Sequence, residues 1–220
     1  MVSEKGHRLR GSMRFFSVGP ITTKALFILV LALARGAQGA EATPAATPAV
    51  EPRYEWEVMS GVLWKVGGGA TPLNYVVLPQ IISLKIPPIS ERPWRGGTLV
   101  FRSRFSLLLE PIVVGPEKVY LGLAAAGEIE WRHPSNRFEA FFASGGGFGW
   151  MNSKGYEIAG GQGQDFNLNW LVHTGVRYQT RSGWRWSAGA YFQHISNRGM
   201  NKINPGLNSL GPTLALSRRF

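Results

Sequence analysis

The chain has 220 residues, of which 28 are Gly, 12% are aromatic, 17% are charged and none is Cys. That length fits one domain, and the lack of Cys excludes a disulfide scaffold, a Cys-built zinc site, a thiol nucleophile and an iron–sulfur cluster. The formal charge of +11 implies an anionic partner, either nucleic acid or a negatively charged membrane surface.

The first 42 residues help to separate these. Ala25–Ala34 (ALFILVLALA) is an unbroken apolar run behind Arg14 and Lys24, and Ala40-Glu41-Ala42 follows as a small-x-small pattern. A basic region, an apolar core and a cleavage site make a secretory signal over residues 1–42. The run is too short to cross a bilayer, which takes about 20 residues. The basic region is long, and Met13 is a more ordinary start than Met1. Residues 43–52 (TPAATPAVEP) read as an extended linker. Removing the leader leaves 178 residues with 18 Lys and Arg against 11 Asp and Glu, a net charge of +7. An exported chain with no recognition motif gives little support to nucleic acid. A membrane is the better partner.

From Arg53 onward the pattern is period two rather than helical. In residues 53–66, Tyr54, Trp56, Val58, Val62 and Trp64 alternate with Arg53, Glu55, Glu57, Gly61 and Lys65. Residues 99–109 set Leu99, Phe101, Phe105, Leu107 and Leu109 against Arg102 and Arg104. Residues 119–131 set Val119, Leu121, Leu123, Ile129 and Trp131 against Gly122, Ala124, Ala126, Glu128 and Glu130. Residues 166–178 set Phe166, Leu168, Trp170, Val172, Val176 and Tyr178 against Asn167, Asn169, His173 and Arg177. Four less regular segments, at 73–86, 137–151, 183–196 and 209–220, bring the count to eight.

Each segment is long enough for a tilted strand to cross a bilayer, about 9–11 residues. An aromatic face opposite a face of Gly, Ala, Glu and Arg suits lipid outside and a filled lumen. The expectation is an all-β chain, an eight-stranded antiparallel up-and-down transmembrane β-barrel over residues 53–220, in the bacterial outer membrane. Its termini are then periplasmic and residues 152–165 form the longest external loop. Residues 133–136 and 180–182 are short periplasmic turns, and residues 87–97 a long periplasmic loop. The last residues, Leu214, Leu216, Arg218 and Phe220, resemble the assembly signal of outer-membrane barrels, which implies the barrel assembly machinery as a partner through Phe220. A homodimer stays open.

The Gly clusters at 67–69, 145–147 and 160–161 neither open a helix nor precede Lys-Ser/Thr, so a phosphate loop is not supported. His173 falls on the lumen face with Glu55, Glu57, Arg102, Arg104, Glu128 and Arg177. Scattered histidines without a carboxylate at ligand spacing give no metal site, and no cofactor is implied.

One segment breaks the pattern. In residues 184–196 the parity that turns Trp184, Trp186 and Phe192 toward lipid also turns His194 and Ser196 that way. Ionisable groups on a lipid face are functional candidates, and side chains two apart on a strand share a face. A base beside a hydroxyl is the minimum for a serine nucleophile. A strand end leaving the hydrocarbon also carries polar residues for no other reason than solvent, so the pair alone leaves both readings open.

His194-Ile195-Ser196-Asn197-Arg198-Gly199, then Asn204-Pro205-Gly206-Leu207-Asn208-Ser209 and a final strand, resemble the C-terminal signature of the PagL-type lipid A 3-O-deacylases. The resemblance implies an outer-membrane hydrolase acting on lipopolysaccharide, with Ser196 as nucleophile and His194 as general base. It assigns Asn197 and Gly199 to oxyanion stabilisation and Asn204 to a loop near the site. The family's triad Glu aligns with Asn208, and no Asp or Glu follows Asp165. Asn208 can still accept from imidazole, as in Cys-His-Asn proteases; Asp165 or Glu157 from the long loop is the alternative acid. Arg198 and Lys202 flank the site as candidate phosphate ligands. A non-catalytic structural or adhesion barrel and an outer-membrane acyltransferase stand beside the esterase as rival functions.

Overall fold

The computed structural model describes residues 53–67 and 70–220; the expected leader and linker lie outside the described residues. The strands are β1 (Glu55–Gly61), β2 (Leu63–Lys65), β3 (Val76–Val77), β4 (Gln80–Lys85), β5 (Ser90–Trp94), β6 (Gly97–Val114), β7 (Val119–Arg132), β8 (Phe138–Met151), β9 (Phe166–Gln179), β10 (Trp184–Ser196) and β11 (Leu207–Arg219). Neighbours pair antiparallel, and β11 pairs with β10 on one side and with β1 and β2 on the other. The sheet therefore closes on itself and every wall strand is paired on both sides. β1 with β2 makes one wall strand and β3 with β4 another, so eight strands form the barrel.

Proline explains the two interruptions that the period-two pattern does not announce. Between β1 and β2 the register continues unchanged, with Gly61 facing Thr213 and Trp64 facing Leu210. Val62 at the gap donates its N–H to the Pro212 carbonyl at 3.3 Å, but Pro212 has no N–H to return. Between β3 and β4 Leu78 likewise donates its N–H to the Pro111 carbonyl at 2.8 Å and receives none back, and Pro79 beside it has no N–H to give. A third departure concerns the loop expected at 87–97. Ser90–Trp94 instead pairs with Gly97–Phe101 as a hairpin. Its turn residues Arg95 and Gly96 have φ of 47° and 74°, the paired positive values of a tight hairpin turn.

The faces fall as the alternation predicts. Trp64, Ile82, Phe105, Leu107, Leu123, Trp150, Trp170 and Trp186 are exposed on the outer wall, while Met59, Tyr120, Leu171 and Tyr191 are buried within. Gly145 and Gly147 sit where a Cβ would run into the backbone of Ala125 and Leu123 in β7. Barrel crowding, not ligand binding, accounts for that glycine run.

Near the start of β1 and the end of β11 the lumen is filled by ion pairs. Lys85 is the hub: its Nζ lies 2.6 Å from Glu57, 3.3 Å from Glu55 and 3.4 Å from Glu128, all fully buried. Arg177 reaches Glu128 at 2.6 Å and Glu130 at 2.7 Å, and Arg104 lies between Glu57 and Glu128 at 3.2 Å from each. Arg185 bonds Glu55 and Glu139. His173 takes the lumenal place expected of it, 3.1 Å from Thr213 Oγ1. Glu130 joins this network from the inward face of β7, and Lys85, Glu139 and Arg185 join it from segments whose sequence pattern is too irregular to show them.

At the opposite end the loops bind one another. Glu117, fully buried, accepts from Tyr75 Oη at 2.5 Å and from Gln162 N at 2.7 Å. Burial and this carboxylate push the Tyr75 hydroxyl well above the ordinary tyrosine range. Thr71 donates its hydroxyl to Gly160 O at 2.6 Å and its N–H to Gly206 O at 2.9 Å. The loops after β2, β6, β8 and β10 thereby form one hydrogen-bonded cap.

Candidate active site

β10 alternates, so Ile195 points into the barrel and is buried, while His194 and Ser196 point outward and are half-buried. His194 faces Trp170 of β9 on one side and Asn208 of β11 on the other; Ser196 faces Leu168. The final strand begins at Leu207, two residues before the sequence pattern suggests, and this early start puts Asn208 in the ladder beside His194. Trp170, its ring centroid 6.2 Å from that of His194, also lies 4.9 Å from Phe192 on the same outer face.

Asn208 Oδ1 lies 2.6 Å from His194 Nδ1, and His194 Nε2 lies 2.9 Å from Ser196 Oγ. A carbonyl oxygen can only accept, so Nδ1 carries the proton and donates it to Asn208. That tautomer leaves Nε2 with a free lone pair, into which the Ser196 hydroxyl donates. The relay from Asn208 to Ser196 is therefore arranged for removing the hydroxyl proton.

The loop after Ser196 is built on Asn197. Its N–H donates to Asn204 Oδ1 at 3.0 Å, its Nδ2 to Ile203 O at 2.8 Å, and its Oδ1 accepts from Gly199 N at 2.9 Å. Met200 N closes the turn onto Asn197 O at 3.0 Å. The central residues Arg198 and Gly199 have φ of 53° and 83°. A positive φ is routine for Gly199 and costs a non-glycine residue about 1–3 kcal/mol, so Arg198 is held in a strained position with its side chain exposed. Lys202 is exposed on the same loop.

Gly206 lies at the site, though the sequence reading gives it no role beyond its place in the quoted signature. At φ 67° it runs under His194 and Ser196, where a Cβ would sit 3.4 Å from His194 Cε1 and 3.9 Å from Ser196 Cβ. The Pro205-Gly206 step was the available signal.

The two candidate acids of the long loop are engaged elsewhere. Asp165 Oδ1 accepts from Ser153 Oγ at 2.6 Å and Ser153 N at 2.9 Å, bonds that hold its carboxyl below the usual aspartate range. Glu157 is paired with Lys154 at 2.8 Å. The structure thus gathers Ser196, His194 and Asn208 and supports them with Asn197, Gly199 and Asn204, while Asp165 and Glu157 stay outside the relay. Among the described residues no group of three or more His, Asp or Glu side chains could hold a metal ion.

Comparison with known proteins adds the lineage. No curated protein matches the chain. Among solved structures it is similar to the outer membrane enzyme PagL, at 14% identity over 73% of this chain and 97% of that one, with a TM-score of 0.48. It is also similar to Neisserial surface protein A, at 12% identity over 76% of this chain and 97% of that one, TM-score 0.51. Ail of Yersinia pestis gives 10% identity over 77% of this chain and all of the other, TM-score 0.34. At such identities the likeness to Neisserial surface protein A shows the barrel fold alone. The family model described as PagL, lipid A 3-O-deacylase, matches residues 90–217. That span is more than half of the chain: the protein belongs to the PagL, lipid A 3-O-deacylase, family and resides in the bacterial outer membrane.

Proposed function

We propose that the protein is a serine esterase that removes an ester-linked acyl chain from lipid A, of the 3-O-deacylase type. The observation that carries the reading is the continuous relay Asn208–His194–Ser196 on the outer, lipid-facing wall, supported by family membership. The end with the long loops faces outward, which sets the relay level with the lipopolysaccharide leaflet. Phe220, at the opposite end, is the proposed handle for the barrel assembly machinery.

The chemistry runs in two steps. Ser196 Oγ attacks the acyl carbonyl carbon as its proton passes to His194 Nε2. The tetrahedral intermediate collapses, the sugar oxygen leaves with the proton from Nε2, and the acyl chain remains on Ser196. Water then attacks that ester, again losing a proton to Nε2, and the free fatty acid and Ser196 hydroxyl are regenerated. Asn208 keeps the Nδ1 proton in place throughout. The Asn197 and Gly199 N–H groups, each now held by a neutral side-chain carbonyl, are the proposed oxyanion donors. A charged oxyanion out-competes a neutral amide oxygen for an N–H. Arg198 and Lys202 take the lipid A phosphates.

Asn208 itself favours a second reading, a barrel of the same family without hydrolytic activity, because an amide cannot compensate an imidazolium by charge. Mass spectrometry of lipid A from cells making wild type or Ser196→Ala separates the two. Loss of one hydroxy-acyl chain with wild type alone supports the esterase, and unchanged lipid A in both supports the inactive barrel. A gain in mass with wild type alone means acyl transfer instead.

A further inference from the structure

The mouth of the barrel at the terminus-bearing end, far from Ser196, encloses a cavity of about 290 Å³ that the hydrolytic reading does not use. Six guanidinium groups line it, from Arg53, Arg102, Arg132, Arg185, Arg218 and Arg219, against a single carboxylate, Glu91. Arg102 and Arg185 are almost fully buried, and the Nε of each has no acceptor among the described residues.

Among the described residues, charge at this end does not balance. In the lumenal network Lys85 and six arginines face six glutamates. Arg53 and Arg218 add two cations with no ion-pair partner among the described residues. Even counting the C-terminal carboxylate of Phe220, about two positive charges remain over. The neighbouring turns carry Arg92, Arg95, Arg137 and Arg181 and no further carboxylate among the described residues.

One residue that lines the cavity also faces the bilayer. By strand parity Arg218 belongs to the outer wall, where its guanidinium lies 5.4 Å over the Trp184 ring. Arg219, the next residue, turns inward to Glu55 and Glu139 at 3.4 Å each. Adjacent residues thus link the lipid side to the lumen mouth. Guanidinium forks match phosphate oxygens in pairs, and donors converging from β6, β7, β10 and β11 suit a tetrahedral anion better than a planar carboxylate.

We propose that this cavity binds a phosphate group. An inner-leaflet phospholipid headgroup and a soluble phosphate are two sources of that one chemistry. The site is independent of the proposed hydrolysis.

The test uses the full barrel refolded in non-ionic maltoside micelles and native mass spectrometry with three probes: dihexanoyl phosphatidylglycerol, inorganic phosphate, and phosphate-free dihexanoylglycerol. The expected result is retention of one phosphate-bearing probe per barrel and none of dihexanoylglycerol. Retention of phosphatidylglycerol alone identifies the headgroup, and equal retention of inorganic phosphate shows that the soluble anion suffices. Arg53→Gln/Arg218→Gln, which removes no ion pair, weakens retention by about tenfold or more, and Ser196→Ala leaves it unchanged. Heat-modifiable gel mobility checks that each variant is folded, and Arg53→Gln alone serves as the milder version. Failure of both phosphate probes to bind, or retention by the folded Arg variants equal to wild type, overturns the proposal.

Discussion

His194 and Asn208 face each other across β10 and β11, with Nδ1 and Oδ1 2.6 Å apart. The amide fixes the tautomer that hydroxyl activation needs, yet leaves the imidazolium of the proposed transition state without a counter-charge. Restoring a carboxylate adds that charge at a position already in contact. Asn208→Glu or Asn208→Asp is expected to raise the rate of fatty-acid release by about tenfold or more. Asn208→Ala is expected to lower it by a similar factor. Release from lipopolysaccharide in mixed micelles measures both; an unchanged rate in all three variants would remove Asn208 from the mechanism.

The long-loop carboxylates provide a contrast. Asp165 serves Ser153 and Glu157 serves Lys154, so Asp165→Asn and Glu157→Gln should leave turnover within about twofold of wild type, as expected of exposed polar substitutions. A large loss in either would mean that the loop swings a carboxylate onto His194 when substrate binds.

Arg198 occupies a left-handed position that glycine adopts freely. Arg198→Gly should stabilise the turn by about 1 kcal/mol, read as slower amide exchange over residues 197–200. The same change removes a proposed phosphate ligand and should raise the KM for lipid A with little effect on kcat. Gains in both stability and affinity would show that the guanidinium contributes nothing to substrate.

Lys85 holds three buried carboxylates. Removing one member of a buried ion network leaves charges uncompensated and costs about 3–5 kcal/mol. Lys85→Met should therefore lower the midpoint of urea unfolding in bilayers much more than Arg53→Gln at the rim.

Glu117 joins two loops through Tyr75 Oη and Gln162 N. Glu117→Ala orphans both donors at a local cost of about 1–3 kcal/mol. The expected readout is faster amide exchange in residues 152–165 with the barrel strands still protected. Equal acceleration in β8 and β9 would indicate that the cap and the wall unfold together.

The wall was legible because alternation over eight segments is long and its outer face is aromatic. His194 and Ser196 stood out for the same reason, as polar residues whose parity matched Trp184 and Trp186. The pattern was silent where position depended on another strand. The gaps at Val62 and Pro79 follow from prolines rather than from alternation, and the Ser90–Trp94 hairpin was hidden by exposed, irregular residues. Lys85 became a hub only through Glu57 and Glu128, contributed by β1 and β7. Asn208 was placed beside His194 by the register of β11, which the apolar pattern of residues 209–220 starts too late to reveal. Gly206 carries no side chain to mark it; its significance is the space that it leaves under the imidazole.

The outward direction of His194 and Ser196 also sets the units of the proposed catalysis. A substrate that reaches this wall travels within a leaflet, so encounter depends on mole fraction and lateral diffusion and not on molarity in water. At constant bulk concentrations, adding inert detergent should slow turnover in proportion to surface dilution.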